Sequence, residues 1–197
     1  MTAEKRTEAR MARICGVLSR RQKDLTLVLA NIHDPHNVSA IYRSCDAFGV
    51  GRVHLYYTET VFPVLGSKSS ASARKWVESV RHKEARAMAE VLQAQSMTVM
   101  ATSFSPRAIP VVEHDFTKPT AVILGNEHRG VDKELLDLAH GEIYVPMQGM
   151  VQSLNVSVAA AVILFEAWRQ RSAAGLFDSP SLPPDELQAM ISAWSAK

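Results

Sequence analysis

LTLVLANIHDPHNVSAIYRSCDAFGV, residues 25–50, carries one complete step from strand to helix. Leu25 to Ala30 is a short unbroken apolar run behind Asp24, the pattern of a buried strand. Residues 31–37 are polar and proline-marked, and read as a loop. From Val38 the period changes. Val38, Ile41, Cys45 and Phe48 recur at helical spacing, and Gly49 is a helix stop. Further along, RVHLYY (52–57), MTVMAT (97–102), TAVILG (120–125) and EIYVP (142–146) are strand candidates. Helices are expected over 82–95, near 132–139 and over 153–171, and the polar stretch from Thr58 to Ser72 reads as a long loop. Strands alternating with helices predict an α/β domain with a mainly parallel sheet flanked by helices on both faces. Such sheets place their chemistry in the loops beyond the strand C-terminal ends. Three marked loops qualify: 31–37, 125–131 and 146–155.

The chain ends differ from this middle. The 197 residues carry a net charge of +2. Residues 1–23 hold seven basic side chains against Glu4 and Glu8, so the rest is net −3. A basic segment on a mildly acidic body suits a polyanion, although a solvated amphipathic helix would look the same. Met11, Ile14 and Leu18 give residues 4–21 one buried helical stripe. At the other end SPSLPP (179–184) precedes a helix whose Leu187, Met190, Ile191 and Trp194 form an apolar face, one that docks on its own domain or on a partner subunit. The length implies one domain, 24–172, with helical additions at 1–23 and 173–197. Cys15 and Cys45 form no motif, which suggests a reducing compartment. No apolar leader opens the chain, and Val156 to Trp168, which contains Glu166, is too short to span a bilayer. A cytoplasmic protein without membrane attachment is expected.

Each loop supports specific chemistry. Asn37 stands where it can cap a helix or bind a ligand, and Arg43 can clamp a phosphate bidentately. The alternative for Arg43 is a surface pair with Asp46 at i, i+3. His33 and His36 find no third ligand at a suitable spacing, so no metal site is expected. LGNEHRGVD (124–132) has the glycine spacing of a phosphate loop, but Val131 and Asp132 replace the required Lys and Ser/Thr. Nor is it a dinucleotide fingerprint, which argues against a nicotinamide oxidoreductase. Gly125 and Gly130 allow close backbone approach, and Glu127 can accept hydrogen bonds. In 146–171, Pro146 and Gly149 imply an irregular loop, and Ser153, Asn155 and Ser157 open a helix. Ala159, Ala160 and Ala161 permit close packing there, and Arg169 and Arg171 close it, where cations suit the helix dipole.

In order, NIHDPHNVSAIYRSCDAFGV, ILGNEHRGVD and IYVPMQGMVQSLNVSVAAAVILFEAWRQR resemble the three motifs of the SPOUT-class RNA methyltransferases, closest to the TrmH type, which methylates the 2′-hydroxyl of guanosine 18 in tRNA. RTEARMARICGVL and AGLFDSPSL extend the resemblance to both flanks. It implies a parallel-sheet domain with a deep trefoil knot in about 120–172, against the general rarity of knots. It implies S-adenosylmethionine held by Leu124, Gly125, Asn126, Glu127 and Gly130, by Ile143, Val145, Pro146 and Met147, and by Ser153 and Leu154. It implies a homodimer formed through the knot and the last domain helix, whose alanine-rich face would be the contact. Arg43, Asn37, Ser153 and Asn155 become the catalytic candidates. Arg6, Arg10, Arg13, Arg20, Arg21, Arg169 and Arg171 become the candidates for holding tRNA. Remaining alternatives are another tRNA position, a ribosomal RNA target, or a non-catalytic RNA-binding protein on the same fold.

Overall fold

The computed structural model describes the backbone of residues 3–64 and 73–197, and side chains from Thr7 onward within them. The sheet grows from two strands buried along their whole length, β1 (Leu25–Ala30) and β6 (Thr120–Leu124). Beside β1 lie β2 (Arg52–Tyr56) and then β3 (Glu78–His82). Beside β6 lie β4 (Thr98–Thr102), β7 (Gly141–Tyr144) and the two-residue β5 (Ile109–Pro110). The order is β3-β2-β1-β6-β4-β7-β5, and every neighbouring pair is parallel. The expected α/β class is what forms.

Alternation along β1 explains the two layers. Leu25, Leu27 and Leu29 point to one face, where α2 (Pro35–Ala47) and α6 (Val156–Ala173) bury Val38, Ile41, Cys45, Ile163 and Leu164. Val28 and Ala30 point to the other, covered by α4 (Ala85–Ala94) and α5 (Lys133–Leu138) through Met88, Leu92 and Leu135. A one-turn helix, α3 (Ala73–Trp76), lies against α2. The chain ends meet: α1 (Ala3–Leu18) and α7 (Pro184–Ser195) close over Ile14, Leu18 and Trp194. The C-terminal helix therefore docks on its own chain.

Caps explain two boundary shifts. α2 starts before Val38 because Asp34 caps it, accepting the His36 N–H, with Pro35 in its first turn. α6 starts after Ser153 because Asn155 caps it, accepting from Ser157 and Val158. Gly49 ends α2 region at φ +84, where an added Cβ would lie 2.8 Å from the Arg20 carbonyl oxygen.

Several expectations need correction. The loop expected from Thr58 to Ser72 falls partly outside the described residues, and β3 and β5 were not anticipated. Arg171 is 0 % exposed; its guanidinium donates to Asp24 (2.6 Å), Gln22 (2.8 Å) and the Phe116 carbonyl (2.8 Å). Arg21 is 2 % exposed, paired with Asp46 and donating to the Val50 carbonyl. Both arginines lock the ends of the chain to the sheet and present nothing to RNA. With Asp46 taken by Arg21, the alternative Arg43–Asp46 pair does not form, which leaves Arg43 free for the phosphate reading. The alanines of α6 also differ from expectation, since Ala160 packs into the chain's own core and Ala159 lines a cavity.

Candidate active site

Gly125 follows the last residue of β6 and lets the chain fold back on itself. Asn126 and Gly130 exchange backbone hydrogen bonds of 2.9 Å in both directions, and Asn126 Oδ1 accepts the His128 N–H at 2.9 Å. Gly130 has φ +73. A Cβ on Gly125 would sit 2.1 Å from the Gly130 carbonyl carbon, so no side chain fits there. This tight loop projects Glu127 toward the loop after β1.

Glu127 is where the loops join. Its carboxylate accepts the backbone N–H of His33 (3.1 Å), that of Asp34 (3.2 Å), and the Asn37 side-chain amide (2.9 Å). Asn37 Oδ1 in turn accepts from Asn155 Nδ2 at 2.9 Å, and Asn155 caps α6. One chain of hydrogen bonds thus ties the loops after β1, β6 and β7. Burial raises the cost of charging Glu127, but the Asn37 amide and the backbone donors outweigh it and hold its carboxyl below the usual range. Asn31, at φ +52, braces the same region: it donates to Asp132 at 3.1 Å and accepts the Thr58 and Glu59 N–H groups.

A cavity of about 660 Å³ opens beside this junction. Leu124, Gly125, Asn126, Glu127 and Gly130 line one side, and Ile143, Val145, Met147, Ser153 and Leu154 line another. Pro146 is exposed and does not line it. Asn155 reaches the wall, whereas Asn37 stands behind it, in contact through Glu127 and Asn155. The end of β4 and the loop after it, with Thr102, then Ser103 and Phe104, complete the wall with Tyr144. Sequence reasoning missed these, although a polar turn after a strand was the signal that found the other loops.

Arg43 lies elsewhere. It is exposed on α2, does not line the cavity, and makes no ion pair among the described residues. Arg10, Arg13 and Arg20 are exposed, and Arg6 lies outside the described side chains. Arg169 is exposed but bound to Glu166 at 2.7 Å. Among the described residues no group of three or more His, Cys, Asp or Glu side chains could hold a metal ion. No helix among them is long and apolar enough to cross a membrane.

The arrangement is a partly apolar pocket with backbone donors and acceptors on a glycine loop, flanked by a fixed carboxylate, with the unpaired Arg43 exposed outside it. It suits a small ligand of mixed polarity beside an anionic substrate. Residues 24–165 match the model of the "SpoU rRNA Methylase family". The chain is 50% identical over 192 residues to a Thermus thermophilus protein named tRNA (guanosine(18)-2′-O)-methyltransferase, covering 98% of each. The structure of A. aeolicus TrmH/SpoU tRNA modifying enzyme superposes with a TM-score of 0.89 at 37% identity, covering 96% of each chain. A SpoU methyltransferase of Streptomyces viridochromogenes, AviRb, solved in complex with the cofactor AdoMet, superposes with a TM-score of 0.68 at 25% identity. That match covers 79% of this chain and 62% of the other.

Proposed function

The chain belongs to the SpoU rRNA methylase family, and from that premise we propose that it uses S-adenosylmethionine to methylate a ribose 2′-hydroxyl of tRNA, that of guanosine 18. The observation that carries the target is the 50% identity to the Thermus thermophilus enzyme, in a match that covers 98% of each chain.

The residues present fit the cofactor. The cavity has the volume usual for a ligand of that size, its floor is apolar, and Gly125 leaves the backbone bare at the loop. When bound, S-adenosylmethionine supplies a methyl group on a sulfonium, already a good electrophile. The protein's work is therefore alignment and handling of the hydroxyl proton. Leu124, Gly125, Asn126, Glu127 and Gly130, with Ile143, Val145, Met147, Ser153 and Leu154, would hold the donor. The Asn155–Asn37–Glu127 chain keeps the three loops at fixed spacing. Ser153 and Asn155 shape the wall next to the acceptor.

Arg43 binds the phosphate beside the target ribose and stabilises charge developing on the 2′-oxygen. A guanidinium pKa above ~12 makes literal removal of the proton by Arg43 the weaker version of its role. Arg43→Ala is expected to lower turnover about 10³-fold with S-adenosylmethionine binding retained.

The finer organisation belongs to the same reading. Residues 120–172 thread a trefoil knot, the exposed apolar side of α6 pairs two copies, and Arg10, Arg13 and Arg20 hold tRNA from the α1 side. The cytoplasm, where tRNA is matured, is the compartment. The test is to incubate the protein with labelled methyl donor and unmodified tRNA transcripts and to map the labelled nucleotide. Label on the ribose of guanosine 18 is expected. Absence of label from every D-loop ribose overturns the target, and label elsewhere in tRNA or only in ribosomal RNA selects the alternative substrates.

A further inference from the structure

A second cationic cluster lies beyond the cavity, on the flank of α2 that faces α3 and β3. Around α2, Asn37 and Phe48 meet α6, through Asn155 and Phe165, whereas Tyr42 meets β3 by a 2.6 Å hydrogen bond to Ser79. Arg43 is the next residue round the helix after Tyr42, and it is exposed. On the Tyr42 side, Arg74 and Arg81 lie close enough for their charges to act on its hydroxyl, and both stand over Phe62. The Arg81 guanidinium carbon is 5.3 Å from its ring centroid and that of Arg74 is 6.0 Å away. Phe62 is itself seated edge-on against Tyr57, with centroids 5.1 Å apart, and the Tyr57 hydroxyl donates to the Ile32 carbonyl in the loop after β1.

These charges are not neutralised locally. Arg74 and Arg81 are exposed, and neither makes an ion pair among the described residues. The nearby acids are engaged: Glu78 with Arg52 at 2.8 Å, Asp46 with Arg21, and Glu59 with Arg129 at 2.5 Å. A guanidinium laid against an aromatic ring keeps its in-plane N–H donors available, in a fixed orientation. Charge on the edge strand β3 would discourage strand addition by itself. That purpose needs no aromatic ring set against two guanidiniums.

We propose that Arg74 and Arg81, oriented by Phe62, form a second RNA-contact site that grips the phosphodiester strand leading away from the ribose served by Arg43. This inference rests on the tRNA methyltransferase reading. The occupant is argued from charge complementarity: a pair of unneutralised guanidiniums fits a polyanion, and through Tyr57 the site adjoins the loop that leads into α2, the helix of Asn37 and Arg43. Phe62 is a positioning residue that acts through the two arginines.

The test measures tRNA binding against salt concentration for the wild type, the doubly substituted Arg74→Gln/Arg81→Gln protein, and Phe62→Leu. The double variant is expected to bind tRNA about tenfold more weakly near 0.1 M salt, with the slope of log affinity against log salt shallower by about 1 to 2. Its S-adenosylmethionine affinity, which also reports the fold, stays at the wild-type value. Phe62→Leu keeps both charges, so it weakens binding about threefold with the slope retained, and Phe62→Tyr restores it. Wild-type affinity and slope in the double variant overturn the site, and wild-type binding by Phe62→Leu overturns the orienting role. If the unsubstituted protein methylates no tRNA, the underlying reading fails, whatever the variants do.

Discussion

Every group facing Glu127 is a donor: two backbone N–H groups and the Asn37 amide. An amide in its place would turn its own N–H toward them, so Glu127→Gln loses the tie between loops as well as the charge. Hydrogen bonds to a charged group contribute about 1.5–3 kcal/mol, which for a chain of this length corresponds to a Tm lower by about 3–12 °C. S-adenosylmethionine affinity should fall about tenfold, because the loop it rests on is released; calorimetric titration at an unchanged Kd would refute this. The acid side is a second check. The folded-state pKa is held below the ordinary 4.5, so the contribution is complete above that value and declines as pH falls through it. The gap in Tm between wild type and variant should therefore narrow in acid. Loop residues such as Glu127, Gly125 and Asn155 were legible because they stand after strands, in polar or glycine-marked turns. Arg171 was not. An arginine in the last turn of a helix reads as a solvated cation, and only the folded chain brings Gln22, Asp24 and the Phe116 carbonyl around it.

Elements with few neighbours were the hardest to read. β3 has the sequence ESVRH, in which Val80 is the one aliphatic residue, and as an edge strand it needs no apolar alternation. β5 is two residues ending in Pro110, which a sheet edge tolerates. By contrast β1 and β6, buried on both sides, announced themselves as unbroken apolar runs. α6 is apolar nearly all round, so its period could not say which side faces the core. The β2–β3 pairing carries its own pH dependence. His54 Nδ1 and His82 Nε2 are 2.8 Å apart with stacked rings, and His54 Nε2 is buried without a partner. Burial, then the charges of His82 and Arg52, push His54 down to about 4. The unfolded chain takes up a proton near the ordinary 6.5 while the folded chain resists it. Stability is therefore full above about pH 6.5, declines as pH falls toward 4, and changes no further from this source below that. The loss amounts to at most about 3 kcal/mol. Melting curves across this window should fall less steeply for His54→Leu than for the wild type; parallel curves would assign the acid sensitivity elsewhere.

At the scale of the whole molecule, two surfaces compete to define how the protein works. The ends are closed internally: α1 and α7 bury Ile14, Leu18 and Trp194 against each other, and the Trp194 ring packs at a tilt against Trp76, with centroids 4.6 Å apart. That surface is satisfied within one chain. α6 is not, because Val158, Val162, Phe165 and Trp168 repeat along its outer side and remain exposed. This exposed apolar stripe, on a helix next to the cavity, is what the proposed dimer would cover. The proposed pairing of two copies through it would also give Arg43 a purpose, since that arginine is exposed on α2 and does not line its own cavity. The dimer reading thus predicts that assembly and turnover are lost together. Val162→Glu/Trp168→Glu would set two unpaired carboxylates in a self-complementary contact, where burial of an uncompensated charge costs several kcal/mol. Sedimentation velocity should then show the wild type at about twice the 21.7 kDa chain mass and the variant at the chain mass. Turnover on tRNA should be lost in the variant, while its far-UV spectrum and cooperative melting persist, because both positions lie outside the core. A wild type that sediments as a monomer, or a monomeric variant with full turnover, would show that one chain suffices.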